Sequence, residues 1–188
     1  MFNKDHHKKS LGTAMVVALL SSLLITPGQT AMDILGGSPI QATPFDRRLD
    51  AAGAFGSFTP FLGSLRSNDD LFLRARSIRY EPDPAGQDYW QTPEETDARW
   101  AGDCEDKAIW LFAQLKMNGY SNVRLVVGRY RSIDRSYHVW VTMADPQDDV
   151  LILDPTAQKR MWRAGEFGEG FYKPLYSFDG INRYRHDS

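Results

Sequence analysis

The chain has 188 residues, one cysteine and almost balanced charge, 22 Lys plus Arg against 24 Asp plus Glu. That balance excludes a broad basic surface of the kind that holds nucleic acid, and a single cysteine excludes an intramolecular disulfide. The length beyond a short leader suits one domain with a real core.

The N-terminus reads as an address. Lys4, Lys8 and Lys9 precede a mostly apolar run from Leu11 to Ile25, and Pro27 and Gly28 break it before the small residues Thr30 and Ala31. Positive head, apolar middle and small-residue end are the order of a secretory signal. The run is shorter than the roughly 18 to 20 apolar residues of a membrane span. Residues 1–31 are therefore expected to be a signal peptide, with an uncleaved N-terminal anchor as the alternative. Either way the remainder works outside the cytoplasm.

Residues 32–79 are expected to form an arm, irregular to about residue 65 because Gly36, Gly37, Pro39, Pro44 and Pro60 interrupt it, and then a helix from Asp69 to Ile78 capped by Asn68. Residues 80–188 are expected to be the core. Glu81 to Gly86 carries two prolines and a glycine and reads as a loop. Thr92-Pro93-Glu94-Glu95 is a helix start, with Thr92 as cap, Pro93 first and Glu95 three after the cap. A stronger helix follows: Asp103 caps it, Cys104 is its first residue, Ala108, Ile109, Leu111, Phe112 and Leu115 line one face, and Gly119 ends it. Strands are expected at Val123–Arg131, Tyr137–Met143 and Val150–Leu153, the last two joined by a turn at Asp145–Asp149. A helix followed by an antiparallel meander makes an α+β domain.

Cys104 carries the chemistry. A packing cysteine sits among apolar residues, whereas this one lies in Gly102-Asp103-Cys104-Glu105-Asp106. A thiol at a helix N-terminus feels the positive end of the dipole. Outside the leader the only histidines are His138 and His186, and His186 is two residues from the end, where fraying is expected. That leaves His138 as the base. If the hairpin turn centres on Pro146, His138 directly faces Asp154, with Cβ atoms about 4.5 to 5.5 Å apart, close enough for the carboxylate to hold the imidazole. The same register puts Trp140 and Ile152 on the face expected to receive the Cys104 helix. The Cys104 backbone N–H offers one oxyanion donor, and a second is expected from Tyr89-Trp90-Gln91, with Gln91 the named residue. Asp103, Glu105 and Asp106 crowd negative charge beside the thiol, which disfavours a thiolate unless a cation neutralises it. Oxygen donors outside the cytoplasm, with no Cys or His cluster, point to calcium rather than zinc.

Asp88-Tyr89-Trp90-Gln91-Thr92-Pro93-Glu94, the Cys104 box, His138 and Leu153-Asp154 together resemble the bacterial transglutaminase-like cysteine proteinases. The resemblance runs from about Ile78 to Asp154. It implies a papain-like, transglutaminase-like core with the catalytic helix packed on an antiparallel sheet, and a triad of Cys104, His138 and Asp154. It also implies Asp103 and Glu105 as calcium ligands. Well-understood members of that family are periplasmic, calcium-dependent proteases that clip large surface adhesins and are restrained by an inner-membrane receptor for a cyclic dinucleotide. His138-Val139-Trp140-Val141 and Leu153-Asp154-Pro155-Thr156 lean towards the broader transglutaminase core. Two other functions fit the same residues: transglutaminase-type acyl transfer or deamidation on glutamine side chains, and a non-catalytic binding module.

Overall fold

A computed structural model describes residues 35–56, 58, 66–145, 149–168 and 170–187. The expected leader at residues 1–31 and the turn residue Pro146 lie outside the described residues. No helix among the described residues is long and apolar enough to cross a membrane.

The described chain is one antiparallel sheet with helices on one face. Its elements are β1 (Ser38–Ile40), α1 (Asp46–Ala51), α2 (Asn68–Ser77), β2 (Arg79–Tyr80), α3 (Pro93–Arg99), β3 (Ala101–Gly102), α4 (Cys104–Met117), β4 (Val123–Arg131), β5 (His138–Ala144), β6 (Val150–Leu153), β7 (Trp162–Arg163), a 3-10 turn (Ala164–Glu166), β8 (Phe171–Phe178) and β9 (Arg183–Arg185). Seven strands pair in the order β1-β9-β8-β4-β5-β6-β7, and β2 and β3 form a separate parallel pair.

Local chemistry explains the helix starts. Thr92 Oγ1 accepts the Glu95 N–H while Glu95 Oε2 accepts the Thr92 N–H, closing a capping box ahead of Pro93. In α2 the cap is Ser67 rather than Asn68: the Asp70 N–H donates to Ser67 Oγ at 3.1 Å. After α4, Gly119 takes φ +86°, the left-handed conformation that glycine supplies without strain.

Helix α4 is the axis of the core. Ala108, Ile109, Trp110, Leu111, Phe112 and Leu115 are all buried, packing in one cluster with Leu71 and Phe72 of α2 and with Leu125, Val127, Val139, Val141 and Leu153 of the sheet. Fully burying side chains of this size contributes roughly 1.5–3 kcal/mol each. Lys107 is buried with them and donates to the Ile78 carbonyl at 3.0 Å, tying α4 to the C-terminal end of α2.

The sequence reading needs correction at four places. The arm is not irregular throughout: β1 pairs with β9, Pro39 taking an edge strand where its missing N–H costs nothing, and α1 buries Leu49. The β5–β6 register pairs Val141 with Leu153 and Thr142 with Ile152, two residues away from the register that sets His138 directly against Asp154. Trp140 and Ile152 face away from α4, in a second cluster with Val126 and Tyr172, because the helix packs on the alternate residues Val139, Val141 and Leu153. His186 is not frayed: its Nε2 lies 2.9 Å from Ser177 Oγ and its backbone N–H bonds the Leu175 carbonyl.

Candidate active site

Two short strands set the nucleophile. The β2–β3 pairing places Tyr80 beside Gly102, and Cys104 opens α4 two residues later. Gly102 is required by packing, because a Cβ there would sit 2.5 Å from the Asp106 Cβ. With that space free, the Asp106 carboxylate folds back over Gly102 and accepts the Asp103 N–H at 3.2 Å. It also accepts the Gln91 backbone N–H at 2.8 Å and the Gln91 side-chain amide at 2.6 Å. Asp106, 1% exposed, is therefore the tie between the 88–91 segment and the nucleophile helix. Sequence reasoning took it for a first-turn acid; the signal for more was a glycine four positions earlier in the same box.

Gln91 is spent on that tie. Its amide nitrogen donates to Asp106 Oδ2 and to the Ala101 carbonyl, and the side chain is 3% exposed. An oxyanion role for it needs one of these bonds to open. The Cys104 backbone N–H, at the start of α4, is among the donors that a helix start leaves without an intrahelical partner.

The candidate base, His138, and Asp154 meet across the end of the β5–β6 hairpin. His138 Nε2 lies 2.7 Å from Asp154 Oδ2, and Asp154 is fully buried. Burial raises the carboxyl, but the His138 contact and the Ala157 and Thr156 N–H groups outweigh it and hold Asp154 below the usual carboxylate range. An ionised carboxylate only accepts, so His138 Nε2 carries hydrogen and Nδ1 is the nitrogen left to act as base. The Val139 backbone N–H, next in sequence to His138, faces the Cys104 sulfur and favours its thiolate. This places the thiol at the strand end that carries the histidine. The Trp140 ring stacks near His138 at 6.1 Å, and Tyr130 lies at 5.7 Å.

Against this arrangement stands a concentration of acid. The Cys104 thiol donates to Glu105 Oε2 at 3.1 Å, and burial followed by the Glu105 charge pushes the thiol far up. Burial and the adjoining Asp103 carboxyl push Glu105 up to about 8. Asp103 is likewise raised, by burial first, and burial takes Asp106 up to about 6. Ligand oxygens of Asp83, Asp88 and Glu105 lie within 4.8 Å of one another, and Asp103, Cys104 and Glu105 form an overlapping group. Asp103 Oδ1 is buried without a hydrogen-bond partner among the described residues. Converging carboxylate oxygens of this kind suit a hard cation. The site residues read from the sequence, Asp103 and Glu105, lie in this cluster; Asp83 and Asp88 come from the loop ahead of α3 and were not singled out. Their signal was an acid pair in a Pro- and Gly-rich loop just before the Trp90-Gln91-Thr92-Pro93 segment.

No protein-family model matches the chain, and no curated protein sequence does. Solved structures do. The fold is similar to that of LapG from Legionella pneumophila, with TM-score 0.54 and 24% identity over 63% of this chain and 66% of that one. The calcium-bound form of LapG superimposes with TM-score 0.54 and 25% identity over 64% and 70% of the two chains. The EGTA-treated form gives 0.56 and 24% over 64% and 66%. The chain thus spans a little under two thirds of LapG, 66% of it in the first comparison. This likeness establishes the LapG-like fold, a helix packed on an antiparallel sheet.

Proposed function

We propose that the protein is an extracytoplasmic cysteine protease that hydrolyses peptide bonds through Cys104, His138 and Asp154. The observation that carries this reading is the 2.7 Å contact of His138 Nε2 with the fully buried Asp154, at the strand end where the thiol meets the helix N-terminus.

In the mechanism, His138 Nδ1 takes the Cys104 proton and the thiolate attacks the peptide carbonyl carbon. The oxyanion forms beside the Cys104 N–H at the positive end of α4. The imidazolium gives its proton to the leaving amine; the neutral ring then takes one from the water that attacks the acyl carbon and returns it to the departing Cys104 thiolate. Asp154 stays ionised, keeps Nε2 protonated and stabilises the imidazolium.

Calcium fits the acid cluster, with Asp103 and Glu105 as ligands joined by Asp83 and Asp88. Bound there, it supplies positive charge that offsets the carboxylates beside the thiol. The calcium-bound and EGTA-treated LapG structures support this reading. By resemblance, the substrate is a large surface adhesin cut in the periplasm, with an inner-membrane receptor as regulator.

The test uses the purified full chain and a fluorogenic adhesin-derived peptide library, in calcium and in a calcium-selective chelator. Cleavage by the parent in calcium is expected, with none by Cys104→Ala or His138→Ala. Undiminished cleavage by Cys104→Ala overturns the proposal. Amine incorporation into glutamine peptides without cleavage moves the assignment to acyl transfer.

A further inference from the structure

The Asp154 carboxylate has four hydrogen-bond partners among the described residues, of which the sequence pointed only to His138. Tyr172 of β8, eighteen residues further along the chain, donates its hydroxyl hydrogen to Asp154 Oδ2 at 2.9 Å, the same oxygen that faces His138. Thr156 and Ala157 N–H groups occupy Oδ1 at 2.9 and 3.0 Å. Tyr172 is 6% exposed and takes φ +49°, a left-handed conformation that a bulky residue adopts only when its surroundings hold it there. Its ring is held by edge-on packing against Trp140 and Phe167. Gly128 leaves the Trp140 ring its place, because a Cβ there would sit 2.6 Å from it.

The direction of the Tyr172 hydrogen is fixed as well. Gln158 Nε2 donates to the Tyr172 oxygen at 2.5 Å, so the hydroxyl hydrogen is left for the carboxylate. Donors and acceptors then run one way, from the Gln158 amide to Tyr172, and from Tyr172 to Asp154. Because Asp154 accepts from both sides, His138 must present Nε2–H to it, which leaves Nδ1 as the ring nitrogen with the lone pair.

We propose that Tyr172, oriented by Gln158, is a positioning residue that fixes the carboxylate of Asp154 and through it the tautomer of His138. This rests on the triad reading given under Proposed function. Gln158 and Tyr172 touch no reacting atom, and their effect passes through Asp154.

Two substitutions separate this role from packing. Tyr172→Phe keeps the ring and removes the donor. Gln158→Glu keeps the shape and replaces the donor facing Tyr172 with an acceptor, which draws the hydroxyl hydrogen away from Asp154. Both are read, in calcium-containing buffer, by the rate of iodoacetamide alkylation of Cys104 and by the side-chain ¹⁵N shifts of His138, with thermal melting as the control for folding. Each variant is expected to alkylate about ten-fold more slowly, the lower end of what outer partners of a functional side chain contribute. His138 should move from a pure Nε2–H tautomer to a mixture. Parent-like alkylation and tautomer in both variants overturn the inference, as does a loss in Tyr172→Phe that Gln158→Glu does not share, which marks packing alone. A parent Cys104 no more reactive than free cysteine refutes the triad reading instead.

Discussion

Glu105→Gln isolates the electrostatic conflict at the nucleophile. Glu105 Oε2 accepts the Cys104 thiol hydrogen at 3.1 Å, so a thiolate would set two negative charges against each other. At an effective dielectric near 20, unit charges at that separation repel by on the order of 5 kcal/mol. Glu105 is itself pushed up to about 8 by burial and by Asp103, so near neutral pH it is only partly ionised and the realised penalty is smaller. A residual of about 1.4 kcal/mol is already a ten-fold change in thiolate population. The amide keeps the side-chain shape and removes the charge, so calcium-free Glu105→Gln should alkylate with iodoacetamide about ten-fold faster than calcium-free parent. Burial, the larger cause of the raised thiol, is untouched, so the variant should remain below a fully activated thiol. Intact mass reports one event at one site, because Cys104 is the only cysteine. The parent should accelerate on adding calcium and the variant should not. A calcium-free rate equal to the parent's, or a calcium response preserved in the variant, refutes the reasoning.

Asp154→Asn should lower turnover by up to about 10⁴-fold, the loss known for a triad aspartate changed this way, with little change in KM; single-turnover kinetics on any cleaved peptide measure it. Gly102→Ala should destabilise by about 1–3 kcal/mol, because the new methyl meets the Asp106 side chain, and urea unfolding checks it. Calcium-free protein should lose stability as pH rises. Glu105 is raised from its unfolded value, so its contribution is fully present below about 4.5 and lost through about 8; melting temperatures should fall across that window in the parent and less so in Glu105→Gln. The depressed Asp154 has the opposite sign, and its contribution disappears only in acid.

Much of the site could be read from the sequence because its signals are local. The capping box at Thr92 and Glu95, the polar setting of Cys104 and the apolar face of α4 each lie within a few residues, and the structure returns them where expected. The pairing of His138 with Asp154 was reached through the wrong register. A turn displaced by one residue shifts the pairing by two, and because side chains alternate with period two, both residues stay on one face. The contact is then diagonal, a span of about 7–8 Å between backbones that imidazole and carboxylate together cross. What stayed hidden is non-local. Strand β8 carries Pro174 in its middle, which argues against a strand by pattern alone, so neither the seven-stranded sheet nor Tyr172 could be foreseen. The tie between Asp106 and Gln91 was harder to reach, since Gly102 four positions earlier leaves room for the carboxylate but does not say that it will grip a loop fifteen residues upstream.

The nucleophile is where this protein disagrees with its own local rules. The helix N-terminus and the Val139 amide favour a thiolate, while burial, Glu105 and Asp103 oppose it. Stability alone gives no reason to keep Asp103 and Glu105 buried against each other, since a buried carboxyl raised to about 8 destabilises the fold whenever it ionises. Conflicts of this kind concentrate at functional sites, where a missing partner completes the arrangement. Asp83 and Asp88 bring further carboxylates to the same point, which deepens the conflict as long as no cation is present and supplies ligands once one is. The side chains that hold the thiol protonated are thus the ones whose charge a bound cation would offset, and the Glu105→Gln comparison measures that conflict directly.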